Sequence, residues 1–353
     1  LTLAHPLQPF SAHYFDASNT SLDTYANEWR ALHEPQAASG EKTSPLPPME
    51  QNEPLNCAAL GRFLKQPVAH FFQQRLKANL KLEQHSLDDS EPFAVDNGLL
   101  RYQLQDELLS AALQAGPELA LDAMQHSLDQ QTRSGELPLA PFTDGSRHSL
   151  LSPLREPLQQ YFALLEQSGA LQPQQEIRLT LGELQLEDWL TDLRGPAGKH
   201  QRLVLHTGKL KDRFDKLCQD WVLHLAACAS GLAITTHIQG QDGRFTLPAI
   251  NRNVAQQQLE QLAHGWQQAL CEPLPIACAT AFAWLKGKDK SKGEPEEQRG
   301  ESEARKVFES GFNHTGEQEK EPALCRAWHD FDAMLTPTHN DTSAFAYWIE
   351  QLY

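Results

Sequence analysis

The stretch Gln201–Cys228, with the sequence QRLVLHTGKLKDRFDKLCQDWVLHLAAC, decides the fold class of this chain. It begins with a short, nearly continuous apolar run over residues 202–206, which is typical of a strand buried on both faces. After a polar corner, apolar residues recur at helical spacing: Leu210, Phe214, Leu217, Trp221 and Leu225. This spacing predicts an amphipathic helix that starts at the corner. A buried strand followed by such a helix indicates an α/β fold.

The segments on either side extend this interpretation. Residues 176–195, EIRLTLGELQLEDWLTDLRG, alternate apolar and polar side chains, which predicts two strands joined by a tight turn at Gly182. The segments LAITTHIQG (232–240) and RFTLPAI (244–250) predict one or two further strands, and residues 254–270 a helix. The order helix, three strands, helix, strand predicts an α/β core with helical additions in front of it.

Composition and the residues that start or end helices divide the chain into five predicted regions. A proline-rich beginning predicts an extended tether, and the charged segment KGKDKSKGEPEEQRG (286–300) has no apolar residue, which predicts a mobile surface loop. At the start of the helical region, Asn56 is placed to cap a first helix and Pro67 to begin a second. The predicted regions are the tether 1–55, a helical subregion 56–175, the α/β core 176–285, the mobile charged loop 286–305 and a C-terminal helical segment 306–353.

Charge and cysteine usage limit the classes of function. With 46 acidic against 30 basic side chains, the net charge is −16, which argues against a domain that grips nucleic acid over its whole surface. The six cysteines form no C-x-x-C pair, so we expect free thiols in a reducing cytoplasm and no cysteine metal site. There is no apolar run near the roughly 20 residues that a bilayer span requires. The chain starts at Leu1 rather than Met, which we interpret as a segment of a longer polypeptide.

The order of elements is that of the PD-(D/E)-x-K nucleases, but the catalytic positions differ. In those enzymes an acid at the end of the second strand and another on the third hold Mg²⁺, and a lysine two residues further on helps to activate water. Here Thr191, Val204 and His206 occupy the three positions. Valine has no lone pair for a metal, and Mg²⁺ prefers oxygen to imidazole. We therefore predict a nuclease-like fold whose catalytic residues are lost, without a metal or cofactor.

One alternative stays open on the second strand. Asp188 or Asp192, with Glu187, could supply a displaced acid and leave a residual metal-dependent nuclease. A shift of one residue along a strand sends the side chain to the other face, so Asp192 does not simply replace an acid at position 191. Only this strand offers carboxylates, whereas the metal needs two that converge.

A basic corner follows the third strand and consists of Lys209, Lys211 and Arg213. If the next helix starts there, its first amide groups are free, and together with the three cations they could contact phosphate. Ordinary surface lysines at the start of a helix are an equally good interpretation.

Several longer pieces of the sequence resemble a known family. The segments HPLQPFSAHYF (5–15), LGRFLKQPVAHFFQQRLK (60–77), EPFAVDNGLLRYQLQDELL (91–109) and CASG (228–231) are similar to the C-terminal part of the RecC family, the gamma subunits of the RecBCD helicase–nuclease, exodeoxyribonuclease V. The resemblance implies a RecB-type nuclease fold without catalytic groups, in a complex for the repair of double-strand breaks. It implies a scaffold that contacts RecB, RecD and the rest of RecC and guides DNA strands at the fork. The chain itself would then be no enzyme.

Overall fold

The computed structural model describes residues 44–51, 53–80, 94–289, 295–312, 314–337 and 343–353, and scattered positions between 3 and 33. The chain divides into two compact units, Leu1–Leu46 and Pro47–Tyr353. In the first unit, a short 3-10 helix spans Ala12–Tyr14, and the rings of Phe10 and Trp29 lie 5.7 Å apart.

The strands of the second unit form a hairpin and a four-stranded sheet. They are β1 (Gln175–Leu181), β2 (Leu184–Leu190), β3 (Leu193–Arg194), β4 (His200–Leu205), β5 (Ile234–Gly240) and β6 (Gly243–Leu247). Strands β1 and β2 pair antiparallel through a turn in which Gly182 has a φ of 63°, as the alternating sequence predicts. The order in the larger sheet is β3-β4-β5-β6, with β4 parallel to β5 and the other pairs antiparallel.

The α-helices of this unit surround the strands. They are α1 (Cys57–Lys65), α2 (Pro67–His70), α3 (Gly98–Ala115), α4 (Ala120–Arg133), α5 (Thr143–Gln167), α6 (Cys218–Ala229), α7 (Arg252–Cys271), α8 (Cys278–Lys288), α9 (Glu296–Phe308), α10 (Glu317–Lys320), α11 (Pro322–Ala327) and α12 (Ala344–Leu352). Asn56 caps α1 by accepting a hydrogen bond from the amide of Ala59, and Pro67 is the first residue of α2, as the sequence predicts. A π-helix, Phe71–Arg75, continues α2. No helix among the described residues is long and apolar enough to span a bilayer.

Two hydrophobic cores hold these elements together. The larger one combines α1, the β1–β2 hairpin, α6 and α7 with the C-terminal helices, including the fully buried Phe345 and Ile349 of α12. The smaller one lies between α3, α4 and α5, and Leu205 of β4 packs against it. The predicted helical subregion is therefore split, because α1 and α2 belong to the core of the sheet rather than to the bundle of α3–α5.

The predicted tether extends too far along the chain. Leu55 is buried and joins the edge of β2: its amide donates to Gln185 and its carbonyl accepts from the amide of Glu187. Proline density predicts the tether, but Leu55 lies beyond the prolines and pairs with β2, more than a hundred residues away. The end of the first compact unit at Leu46 lies before this pairing.

The predicted loop 286–305 is largely helical where the structure describes it. Helix α8 continues to Lys288, and α9 begins at Glu296; residues 290–294 lie outside the described residues. The two helices pack closely because Gly287 faces the backbone of Arg299 and Gly300, and Gly300 faces the ring of Trp284. The buried face of α9 consists of Gly300, Ala304 and Phe308, and two of these lie beyond the charged segment 286–300, so the composition of that segment alone predicted a loop.

The helix after β4 also starts later than predicted. Helix α6 begins at Cys218, after a 3-10 turn over Phe214–Lys216, so Leu210 and Phe214 do not lie on it. Asp212 has a φ of 59°, a left-handed conformation that interrupts a helix. The carboxylate of Asp242 accepts hydrogen bonds from the amides of Leu210 and Lys211 and holds the corner in this form.

Candidate functional site

The carboxyl end of β4 carries an ion-pair cluster. Alternation along the strand places Arg202, Val204 and His206 on one face, toward α6. The carboxylate of Asp220, in the first turn of α6, is buried and bonded to two side chains of β4 and its end: Arg202 Nη1 lies 2.9 Å from Oδ1, and His206 Nε2 lies 2.8 Å from Oδ2. His206, at the position of the nuclease lysine, is thus bound to a carboxylate of the protein.

The protonation of Asp220 follows from these contacts. Burial by itself would raise the pKa of this carboxyl group, but the hydrogen bond from His206 and the charge of Arg202 outweigh it and lower the pKa. Asp220 is therefore ionised at neutral pH. Its negative charge is compensated within the cluster.

Val204, at the position of the second nuclease acid, lies in an apolar environment. It packs against a small buried cluster of Leu210, Leu217 and Ile238, with Phe214 and Phe245 beside it. A carboxylate at this position would lose its hydration without gaining a partner, which is costly. The surroundings of Val204 fit an apolar side chain.

The second-strand positions lie in the short link between β2 and β3. Thr191 and Asp192 are exposed, and the hydroxyl of Thr191 donates to Oδ2 of Asp192 at 3.0 Å. Asp192 has a φ of 59°, so the strand is interrupted at this residue rather than shifted. The carboxylate of Asp192 is turned to its own neighbour.

Asp188 has a structural role at the start of a helix. It lies on the core-facing side of β2, where Oδ2 accepts from the amide of Cys57, the first residue of α1, at 2.8 Å. Burial and the Asp188 carboxylate raise the pKa of the Cys57 thiol. Glu187 points to the opposite, exposed face, where it lies 3.9 Å from Arg178. Asp188 and Glu187 therefore do not converge on one point.

Helix α3 packs across the end of β4. The hydroxyl of Thr207 donates to Oδ1 of Asp106 at 2.5 Å, and Nε2 of Gln241 donates to the carbonyl of Thr207 at 2.6 Å. Gln241 also donates to the side chain of Gln105 at 3.3 Å. These contacts attach helix α3, and with it the α3–α5 bundle, to the carboxyl-terminal end of β4, near His206. The sequence contained no periodic signal for them.

The three side chains of the basic corner lie on the surface, but not at the start of a helix. Lys209 and Lys211 are exposed, and Arg213 donates to Asp215 through Nε at 3.1 Å and Nη2 at 3.3 Å. The amides that were expected to be free are those of Leu210 and Lys211, which donate to Asp242. Any phosphate contact at this corner thus depends on the lysine side chains.

Across the described parts of the chain, the acidic and thiol groups do not gather into a cluster of three or more ligands. Sequence reasoning missed Asp220, Asp242 and Asp106, which decide the electrostatics of this region. The sequence signal for Asp220 is its place in an apolar segment, since it is a charged residue between Leu217 and Trp221.

These observations define the class of protein: a mixed α/β domain in which α6 connects the parallel strands β4 and β5, with an Arg–Asp–His ion-pair cluster beside the strand end. The family model described as RecC C-terminal domain matches residues 52–289, more than half of the chain, and the chain belongs to this family.

Two curated relatives agree with this assignment. The chain is 27% identical over 289 residues to the RecBCD enzyme subunit RecC of Escherichia coli (strain K12), a match that covers 81% of this chain. It is 23% identical over 280 residues to the RecBCD enzyme subunit RecC of Haemophilus influenzae, which covers 76% of this chain. The matched region is 24% of the length of each relative, so the chain spans about a quarter of them.

Proposed function

We propose that the chain acts as a non-catalytic domain of a RecC subunit in a cytoplasmic RecBCD-type helicase–nuclease that repairs double-strand breaks. Its core is, in this proposal, a PD-(D/E)-x-K nuclease fold that has lost its metal-binding acids. The observation that carries the proposal is the pairing of His206 with Asp220, because the residue at the predicted position of the nuclease lysine is hydrogen-bonded to a buried carboxylate of the same chain. Val204 in its apolar surroundings supports the same conclusion.

The alternative of a residual nuclease has less support from the geometry. Asp188, within β2, accepts a hydrogen bond from the amide of Cys57. Asp192 lies in the link between β2 and β3 and accepts a hydrogen bond from the hydroxyl of Thr191. A Mg²⁺ site would need at least two carboxylates that converge with free oxygen atoms. Neither pair that the sequence left open, Asp188 with Glu187 or Asp192 with Glu187, offers this arrangement.

The scaffold role follows from the family together with the charge of the chain. Both relatives carry names that make them subunits of the RecBCD enzyme. Partner contacts with RecB, RecD and the rest of RecC are part of the proposal. A net charge of −16 favours protein contacts over broad contact with DNA. Guidance of DNA strands would then depend on a local basic surface, for which Lys209, Lys211 and Arg213 are the first candidates.

The catalytic part of the proposal is tested by titrating the full chain with Mg²⁺ and Mn²⁺ in a calorimeter, alongside a cleavage assay on single-stranded DNA. We expect neither binding nor cleavage. Metal binding with cleavage that is lost in Asp188→Asn or Asp192→Asn would establish the residual nuclease instead.

The assembly and DNA parts are tested in the reconstituted complex. We expect the full chain to co-purify with RecB- and RecD-type subunits, and replacement of Lys209, Lys211 and Arg213 by Ala to weaken fork binding. The triple variant should also show a shallower dependence of affinity on salt, since each phosphate contact releases counterions. An unchanged affinity and salt slope would leave these residues as ordinary surface.

A further inference from the structure

Lys216 occupies a distinctive place beside the end of β4. Its ammonium group lies 5.8 Å from the centroid of the Tyr102 ring on α3, and it rests against Gly208, the third residue after the carboxyl-terminal end of β4. A Cβ atom at Gly208 would overlap Nζ of Lys216, so the glycine creates the space for the ammonium group. Lys216 is half-buried there, between the sheet and the α3–α5 bundle.

The acidic groups around Lys216 are engaged elsewhere. Asp215 accepts both hydrogen bonds from Arg213, and Asp242 accepts from two backbone amides. Within the described part of the chain, no carboxylate lies within ion-pairing distance of Lys216 Nζ. The ammonium group is thus partly removed from water, and Asp215 and Asp242 act on it only from beyond ion-pairing distance.

Other charged side chains contribute to the electrostatic potential at the Lys216 ammonium group. Burial lowers the pKa of Lys216, and the positive charges of Arg213 and Lys65 lower it further, partly offset by the negative charges of Asp215 and Asp242. Lys65 lies at the end of α1, and α1 packs closely on the start of α6 through Gly61 and Gln219. A partly desolvated cation that lacks an ion-pair partner is stabilised when an anion binds next to it.

We propose that Lys216 is a phosphate-binding residue for a single nucleic-acid strand, held in place by Tyr102 and the open space at Gly208. Lys65 and the basic corner supply the surrounding positive potential. The inference rests on the proposed guidance of DNA strands. It assigns the main phosphate contact to Lys216, whose side chain is already positioned, instead of to the exposed lysines. A side chain with a fixed position loses less conformational freedom on binding than an exposed lysine does.

The test measures binding of a fluorescein-labelled oligodeoxythymidylate to the full chain by fluorescence anisotropy over a series of KCl concentrations. Lys216→Gln removes the charge, whereas Gly208→Ala keeps every charge and displaces the ammonium group. Lys216→Arg keeps a cation, and Lys199→Gln removes an exposed lysine just before the opposite end of β4. Urea unfolding of each variant verifies that it is folded.

We expect the slope of log affinity against log salt to become shallower by about 0.7 in Lys216→Gln and in Gly208→Ala, the value for one phosphate contact on a single strand. Lys199→Gln and Lys216→Arg should keep the slope of the original chain. Salt-dependent binding that is equal in the original chain and both Lys216→Gln and Gly208→Ala would overturn this inference while leaving the proposed DNA contact intact.

Two further outcomes separate the source of the phosphate and the underlying function. Binding of inorganic pyrophosphate without binding of the oligonucleotide would overturn the assignment to a nucleic-acid strand. Absence of oligonucleotide binding by the original chain at low salt would overturn both this inference and the proposed DNA contact. Co-purification with partner subunits is a separate readout, so the scaffold role is judged independently.

Discussion

His206 Nε2 lies 2.8 Å from Oδ2 of Asp220, and the same carboxylate binds Arg202 through its other oxygen. The strand and the helix are thereby joined at His206, which the proposed nuclease-like fold places at the position of the catalytic lysine. Such a shared carboxylate is sensitive to removal, because two partners lose their counterion at once.

Replacement of Asp220 by Ala should therefore lower the free energy of unfolding by about 2–4 kcal/mol, since the mostly buried Arg202 guanidinium loses its partner. Urea denaturation followed by circular dichroism measures the change. Asp212→Asn is the matched control, because Asp212 forms an exposed ion pair with Lys286 and its change should leave the urea midpoint unaltered. Equal effects of the two substitutions would contradict the structural role of the cluster.

The Asp220 cluster should also appear in the pH dependence of stability. The pKa of Asp220 is lower in the folded chain than its ordinary value of 3.8. The unfolded chain therefore binds the proton more readily, and the stabilisation is present at neutral pH and lost as the pH falls below about 4. The difference in unfolding free energy between the original chain and Asp220→Asn should shrink on acidification; a constant difference would count against the ion pair.

Asp188 should prove to be a helix-capping residue. Its replacement by Ala removes the acceptor for the amide of Cys57, and we expect a loss of about 0.5–2 kcal/mol in unfolding free energy. Glu187→Ala, on the exposed face of the same strand, should have a smaller effect. If Asp188→Ala proved as stable as the original chain, the capping interpretation would be wrong.

Gly300 should be essential for the contact between α8 and α9. A Cβ at this position would lie 2.8 Å from Cδ1 of Trp284, so Gly300→Ala should destabilise the chain by about 1–3 kcal/mol through overpacking. Gly98→Ala is the control, because nothing lies within 4 Å of its Cβ and the change should be neutral or slightly stabilising. Thermal unfolding of both variants gives the comparison.

Glu321 should reduce stability at alkaline pH. Burial and the neighbouring charge of Glu317 raise its pKa to about 8, and Oε1 has no hydrogen-bond partner among the described residues. The folded chain holds this proton more tightly than the unfolded chain, so stability is lost as the pH rises from the ordinary value of 4.5 through 8. Glu321→Gln should therefore gain up to about 4 kcal/mol over the original chain at pH 8.5, relative to pH 5, since each pH unit between the two pKa values costs about 1.4 kcal/mol.

Measurement of the Glu321 effect requires the difference between the two proteins at each pH. Buried His70, whose pKa is lowered to about 4 by desolvation, also titrates in the acidic range. Because His70 is present in both proteins, its contribution cancels in the difference. A difference that does not change between pH 5 and 8.5 would show that Glu321 is solvated.

The sequence by itself determined the elements with a clear period. The alternation around Gly182 predicted the β1–β2 hairpin, the apolar run predicted β4, and Asn56 and Pro67 marked the starts of α1 and α2. These features are local, because each depends on the backbone geometry and the burial of neighbouring residues in one segment.

Only the tertiary structure decided how the candidate positions are used. Asp106 and Thr207 are 101 residues apart. Asp242 lies in the turn between β5 and β6 and accepts a hydrogen bond from the amide of Leu210, in the corner before α6. No local sequence pattern predicts either contact. Helix α9 forms despite its charged composition because Ala304 and Phe308 are buried in the main core and Gly287 and Gly300 let two backbones approach. Partners of polar groups and close approaches through glycine depend on the packing of distant segments. This packing places the Asp220 carboxylate beside His206 and, among the described residues, leaves no carboxylate at ion-pairing distance from Lys216.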